Sequence, residues 1–222
     1  MQKGIIGNVR RLLAGLLLGG LALPASASDR YYEVTVTNIT RGEIFTPILV
    51  ATHRAGMRLF KPGSPAGSEL EQLAEGGDTM PLAASLKAAG ALDVVTGGDV
   101  LPPGASMTLK VRFNRRHRHI SLASMLVPSN DAFIALNGIA GPRHHGKTLM
   151  LPAWDAGTED NDELCVSIPG PPFLCQGQGY APGGGEGYVY IHGGIHGVGD
   201  LSAAGHDWRN PVARVSIRVV RD

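Results

Sequence analysis

YYEVTVTNIT, residues 31–40, is the stretch on which the fold class turns. Tyr32, Val34, Val36 and Asn38 alternate with Glu33, Thr35 and Thr37, a period-two pattern rich in β-branched and aromatic side chains. That is how a strand with one buried face reads. A second apolar run, FTPILVA (residues 45–51), follows Arg41 and Gly42 and predicts the next strand. Further along, MTLKVRF (residues 107–113) puts Leu109, Val111 and Phe113 on one face. HISLASMLV (residues 119–127) is the next strand candidate, and the two read as a hairpin closed by residues 114–118. Ala132–Leu136, Thr148–Leu151, Tyr188–Ile191 and Val212–Val220 complete the strand candidates. Between Ser68 and Leu92 the period changes: Leu70, Leu73, Ala74, Leu82, Ala83, Leu86 and Ala89 recur three and four residues apart. Two short helices fit, with Ser68 as N-cap of the first and Gly90 as the stop of the second. Short strands joined by Gly/Pro-rich connections predict a mainly β protein, an antiparallel β-sandwich with a short helical insert.

The N-terminus reads as an export signal. Lys3, Arg10 and Arg11 precede an apolar run from Leu12 to Leu23, then Pro24 and Ala25-Ser26-Ala27, which predicts cleavage after Ala27. The run is about half of the ~20 apolar residues that a membrane span needs. Residues 28–222 then form one domain, secreted or periplasmic, with no membrane span after cleavage. Cleavage removes three basic residues and no acidic one, leaving 17 basic against 19 acidic. A mildly acidic product argues against nucleic acid as a partner, because such binding depends on neutralising phosphates. The only cysteines, Cys165 and Cys175, flank VSIPGPPFL. In an oxidising compartment the simplest reading is one local disulfide; a two-thiolate metal site is the alternative.

Two acidic segments sit just past predicted strands. VPSNDAF contains Asp131, and LPAWDAGTEDNDE contains Asp155, Glu159, Asp160, Asp162 and Glu163. The small residues between Asp155 and Glu159 permit a tight turn that directs both carboxylates to one point. Clustered carboxylates with backbone carbonyls are what a hard cation such as Ca²⁺ takes; a solvated acidic loop is the other reading.

VPSNDAF, LPAWDAGTE and HGGIHGVGDLSAAGHDWRNPVARVSI resemble the spondin domain, the N-terminal module of the F-spondin and mindin matrix proteins, and most closely its stand-alone bacterial form. The resemblance runs from about Tyr31 to Val219. It implies a C2-like β-sandwich with a calcium ion in its end loops. Asp155 and Glu159 match the acidic positions of the DAGT element that ligate calcium in animal members, and Asp131 matches an acidic position in the preceding loop. Glu159 stands where Asp is common. The thrombospondin-type repeats that follow the module in animals do not occur here, so integrin binding does not carry over.

A second constellation is His192, His196 and His206, beside Asp200 and Asp207. H-x-x-x-H on a helix would aim two imidazoles at one zinc, but Gly193, Gly194, Gly197 and Gly199 disfavour a helix. A structural loop is one reading, and a second metal site of a metal-dependent hydrolase is the other. Arg115, Arg116, His117, Arg118 and His119 form a basic run that suits either an anionic glycan or surface, or a solvated turn. No nucleophile elbow or phosphate-binding loop is present. The sequence therefore predicts a non-enzymatic, calcium-stabilised module that binds an extracellular or envelope protein or glycan.

Overall fold

The computed structural model describes residues 30–221 together with Met1; residues 2–27 of the expected export signal lie outside the described residues. The chain runs β1 (Arg30–Asn38), β2 (Ile44–Phe45), β3 (Leu49–His53), α1 (Ser68–Gly76), α2 (Met80–Ala88), β4 (Asp93–Thr96), β5 (Ser106–Phe113) and β6 (His119–Val127). It continues through β7 (Ala132–Ala140), β8 (Lys147–Leu151), β9 (Ala153–Asp155), β10 (Tyr190–Ile191), α3 (Ala203–His206) and β11 (Ala213–Arg221). β1 buries Tyr32, Val34, Val36 and Asn38, the four residues its alternation picks out.

Two antiparallel sheets result. One has four strands in the order β5-β1-β11-β8; the other has seven, β10-β9-β7-β6-β3-β4 with β2 paired to β6. Tyr32, Val34, Val36, Val111, Val215 and Ile217 from the first meet Val50, Ile120, Leu122 and Ile134 from the second in the core. Each such large apolar side chain contributes roughly 1.5–3 kcal/mol of burial. A second apolar layer lies on the outer face of the larger sheet, where Leu70, Leu73, Leu82 and Leu86 of the helices cover Leu49, Ala51, Ala123, Phe133 and Ala135.

That second layer explains the principal topological correction. MTLKVRF and HISLASMLV do not form a hairpin: β5 pairs with β1, whereas β6 pairs with β3 and β7. Residues 114–118 carry the chain from one sheet to the other. β5 alternates buried and exposed residues, as a strand open to solvent on one face does. β6 is buried along nearly its whole length because helices cover its outer side. The two patterns belong to different layers.

Other boundaries shift for local reasons. FTPILVA is split into β2 and β3, with Pro47 between them unable to donate a ladder hydrogen bond. Both expected helices form, but Gly67 rather than Ser68 is the N-cap, and α2 ends at Ala88 with Ala89 as its C-cap ahead of Gly90. The last apolar run before the His-rich segment contracts to Tyr190–Ile191. The short strands β4 and β9 and the single turn α3 carry too little periodicity to be read from sequence. Cys165 and Cys175 are joined in a disulfide that closes the loop after β9. Among the described residues no helix is long and apolar enough to cross a membrane.

Candidate functional site

β6 and β7 are joined by Pro128-Ser129-Asn130-Asp131, and all four residues are buried. Ser129 closes this turn: its hydroxyl donates to the Leu126 carbonyl at 2.6 Å and accepts from the Ala132 N–H at 3.2 Å. Asp131 is thereby held at the sheet end. β9 pairs with β7 so that Asp155 lies opposite Ala132, and β10 places Tyr190 on the other side of Asp155. Asp131 and Asp155 thus meet because three strands end together.

The DAGTE element then wraps around both carboxylates. Asp155 Oδ1 accepts from the Gly157 N–H at 2.8 Å. Gly157 has φ +67°, and a Cβ there would run into the Tyr188 backbone, so only glycine fits. Asp131 Oδ2 accepts from the Thr158 N–H at 2.8 Å and from the Glu159 N–H at 3.3 Å. Asp131 Oδ1, in contrast, is buried and has no hydrogen-bond partner among the described residues. Burial first, and then the Asp155 charge, push the Asp131 carboxyl up to about 8.

His192 completes a group of three side chains with Asp131 and Asp155, all buried, whose metal-ligating atom types lie within 4.8 Å of one another; among the described residues it is the one such group of three. Its Nε2 lies 3.6 Å from Asp155 Oδ2 and 3.0 Å from Asn161 Oδ1. Its Nδ1 accepts from the Gly194 N–H at 2.9 Å. A neutral imidazole that accepts at Nδ1 carries its proton on Nε2, so His192 faces the cluster as a donor, not as a lone pair. Burial lowers its pKa and favours that neutral form. Asn161 links the rest, with Nδ2 donating to Asp155 Oδ2 at 2.8 Å and reaching the Tyr190 hydroxyl at 3.1 Å. Burial and then Asp155 raise the Tyr190 phenol, which stays protonated.

Glu159 is placed differently. It lies outside the three-donor group, and its buried Oε2 has no partner. Its carboxyl is raised to about 8 by burial first, then by Glu75, then by Asp131. Glu75, on α1, is itself buried, with Oε2 accepting from the Ala181 N–H at 2.8 Å and Oε1 unpaired.

The three histidines of the second constellation are dispersed. His192 belongs to the carboxylate cluster, His196 is exposed, and His206 Nδ1 lies 3.4 Å from the buried Glu43. Their loop is held by Glu163, whose carboxylate accepts from the N–H groups of His196, Gly197 and Val198 at 2.5, 2.7 and 2.9 Å. Glu163 adopts φ +56°, a left-handed conformation uncommon outside glycine, which these bonds and its contact with Asn130 sustain.

Of the residues expected at the acidic site, Asp131 and Asp155 lie together in the structure, and His192, expected in a separate constellation, lies beside them; Asn161 and Tyr190 join the cluster without being expected there. Tyr190 lies on the two-residue β10 and His192 directly after it, a segment too short and too glycine-flanked to show a pattern in the sequence. The family model described as Spondin_N matches residues 36–166, more than half of the chain. No curated protein matches the sequence. The family and the disulfide together fit an extracellular or secreted protein.

Proposed function

Because the chain belongs to the spondin N-terminal domain family, we propose that it is a non-enzymatic binding or adhesion module whose end loops are rigidified by Ca²⁺. The observation that supports this is Asp131 Oδ1, a buried carboxylate oxygen without a hydrogen-bond partner beside a second buried carboxylate. Two buried like charges are costly unless protonated or met by a cation. The donor set suits a hard ion: Asp131 and Asp155 supply anionic oxygens, and Glu159, whose charge neighbours Asp131, is the candidate third. Calcium there would supply the countercharge and tie the β6–β7 loop to the DAGTE turn. The His192 Nε2–H argues against a soft or borderline metal at the same place. Dispersal of His192, His196 and His206 leaves the metal-dependent hydrolase reading without support. The export signal over residues 1–27 remains part of this proposal, since it delivers the domain to a calcium-rich compartment. The loops so ordered would then present a surface to an extracellular or envelope protein or glycan.

The test is thermal unfolding of the processed chain with millimolar Ca²⁺ and with EDTA. At 100 times the dissociation constant, binding stabilises by about 2.7 kcal/mol. For a domain of this size that is a rise in Tm of roughly 5–10 °C. EDTA reverses it and Asp155→Ala abolishes it. Glu159→Gln weakens it if Glu159 is a ligand. A wild-type Tm that does not respond to calcium overturns the proposal.

A further inference from the structure

A cleft of about 370 Å³ opens at the other end of the sandwich, between the start of β1, the end of β5 and the loop after β7. Arg30, Arg115, Arg118, Arg143 and His144 line it, together with Phe113 and other neutral residues, and among the described residues no carboxylate does. We propose that this cleft binds a small phosphorylated or sulfated organic molecule, of about the size of a sugar phosphate.

The walls are prearranged. Asn114 Oδ1 accepts from the N–H groups of Arg116 and His117, both at 2.9 Å, and this closes the turn that carries Arg115 and Arg118. The turn is tied to the loop after β7 by the Gly141 N–H donating to the Arg118 carbonyl at 2.8 Å and by Arg118 Nη2 donating to the Gly141 carbonyl at 3.2 Å. Tyr32 adds a third tie, its hydroxyl donating to the Pro142 carbonyl at 3.2 Å. The Tyr32 and Phe113 rings stack at 3.8 Å beneath the cleft, and the Arg30 guanidinium sits 4.8 Å over Phe113. Arg30 Nε is buried and has no hydrogen-bond partner among the described residues.

These features select the ligand class. A buried, unpaired guanidinium donor beside three more arginines calls for an acceptor with several charged oxygens, and guanidinium forks match tetrahedral oxyanions bidentately. The volume corresponds to roughly a dozen waters at ~30 Å³ each, room for an organic moiety beyond the oxyanion. The cleft is also remote from the carboxylate cluster. β6 has nine residues, with the basic turn immediately before it and the Pro128–Asp131 turn immediately after it, a separation of roughly 30 Å.

Calorimetric titration of the processed chain with mannose 6-phosphate, mannose, and a phosphomannan polymer tests the assignment. The phosphorylated sugar is expected to bind saturably, mannose not at all, and the polymer equally per phosphate. Arg30→Gln and Arg143→Gln each weaken binding about tenfold or more. Arg214→Gln, exposed on β11 and outside the cleft, leaves it unchanged. Arg143→Gln guards against misfolding of the Arg30 variant, and a wild-type Tm in each variant confirms the fold. Absence of saturable binding to the monosaccharide overturns the proposal. So does binding that survives both cleft substitutions, or displacement by a DNA oligonucleotide in preference to the sugar phosphate.

Discussion

The two ends of the sandwich solve opposite electrostatic problems by different means. At the DAGTE end, carboxylates are buried: Glu43, Asp131, Asp155, Glu159 and Glu163 are all within the protein. At the other end, Arg115, Arg116 and Arg143 are exposed, and Arg115 and Arg143 line the cleft together with the less exposed Arg30 and Arg118. Glu163 meets its burial cost with three backbone N–H groups, whereas Asp131 leaves an oxygen unpaired. The basic end marks its histidines instead: His53, His117 and His119 are all held below the ordinary imidazole value, by burial first and by neighbouring charges including arginines after it. A backbone N–H cannot be added to order, but a countercharge can be recruited from solution. The difference teaches that a buried carboxylate is either met inside the fold, as Glu163 is, or left with an oxygen unpaired among the described residues, as Asp131 is.

The comparison is broken most strongly at Glu43. Burial pushes its carboxyl up to about 7, against the favourable pull of His206. A raised folded-state value means that stability is fully present below pH ~4.5 and is lost as pH rises through ~7. Glu43→Gln should flatten that slope, by an amount on the order of 2–3 kcal/mol between pH 4.5 and 8, read from urea denaturation at a series of pH values. An unchanged slope would mean that another group carries the charge cost at this end.

Asp131→Asn sharpens the comparison with a smaller effect. It removes one of two adjacent buried charges and keeps an oxygen for the Thr158 N–H. In calcium-free buffer at pH 8 the variant should be more stable than the wild type by about 1–2 kcal/mol. With millimolar calcium the order should invert, because only the wild type responds. Parallel melts of the two proteins with and without EDTA test the inversion; a variant less stable in both buffers would remove the charge argument.

At the basic end the smallest change is expected. Arg116 is exposed in the turn, and its side chain makes no hydrogen bond or ion pair among the described residues. Arg116→Gln should therefore alter stability by less than about 0.5 kcal/mol, and a chemical melt that shows more would imply a structural role for the turn's charge.

Much of the fold was legible because burial on one face writes itself into a strand as alternation. β1 and β5 are the clear cases, and their buried residues are those that the period-two pattern names. β6 was legible as a strand but not as to its partners, because a strand covered on both faces loses its alternation and with it any sign of which layer it joins. Of the site, Asp131 and Asp155 could be read from their loops. Asn161 and His192 could not: the Asn161 amide folds back onto Asp155 from six residues along the same loop, and His192 arrives from the segment just past β10.

By itself the sequence determined the class of fold and the pairing of its only two cysteines. These are local properties, set by residue spacing and by which side chains are available. Only the tertiary structure decided that β5 and β6 lie in different sheets, that Glu159 stays outside the group of Asp131, Asp155 and His192, and that the histidines disperse. Each of those outcomes depends on which distant surface a segment packs against, and the free energy of that choice is shared by the whole core rather than carried by any one stretch of chain.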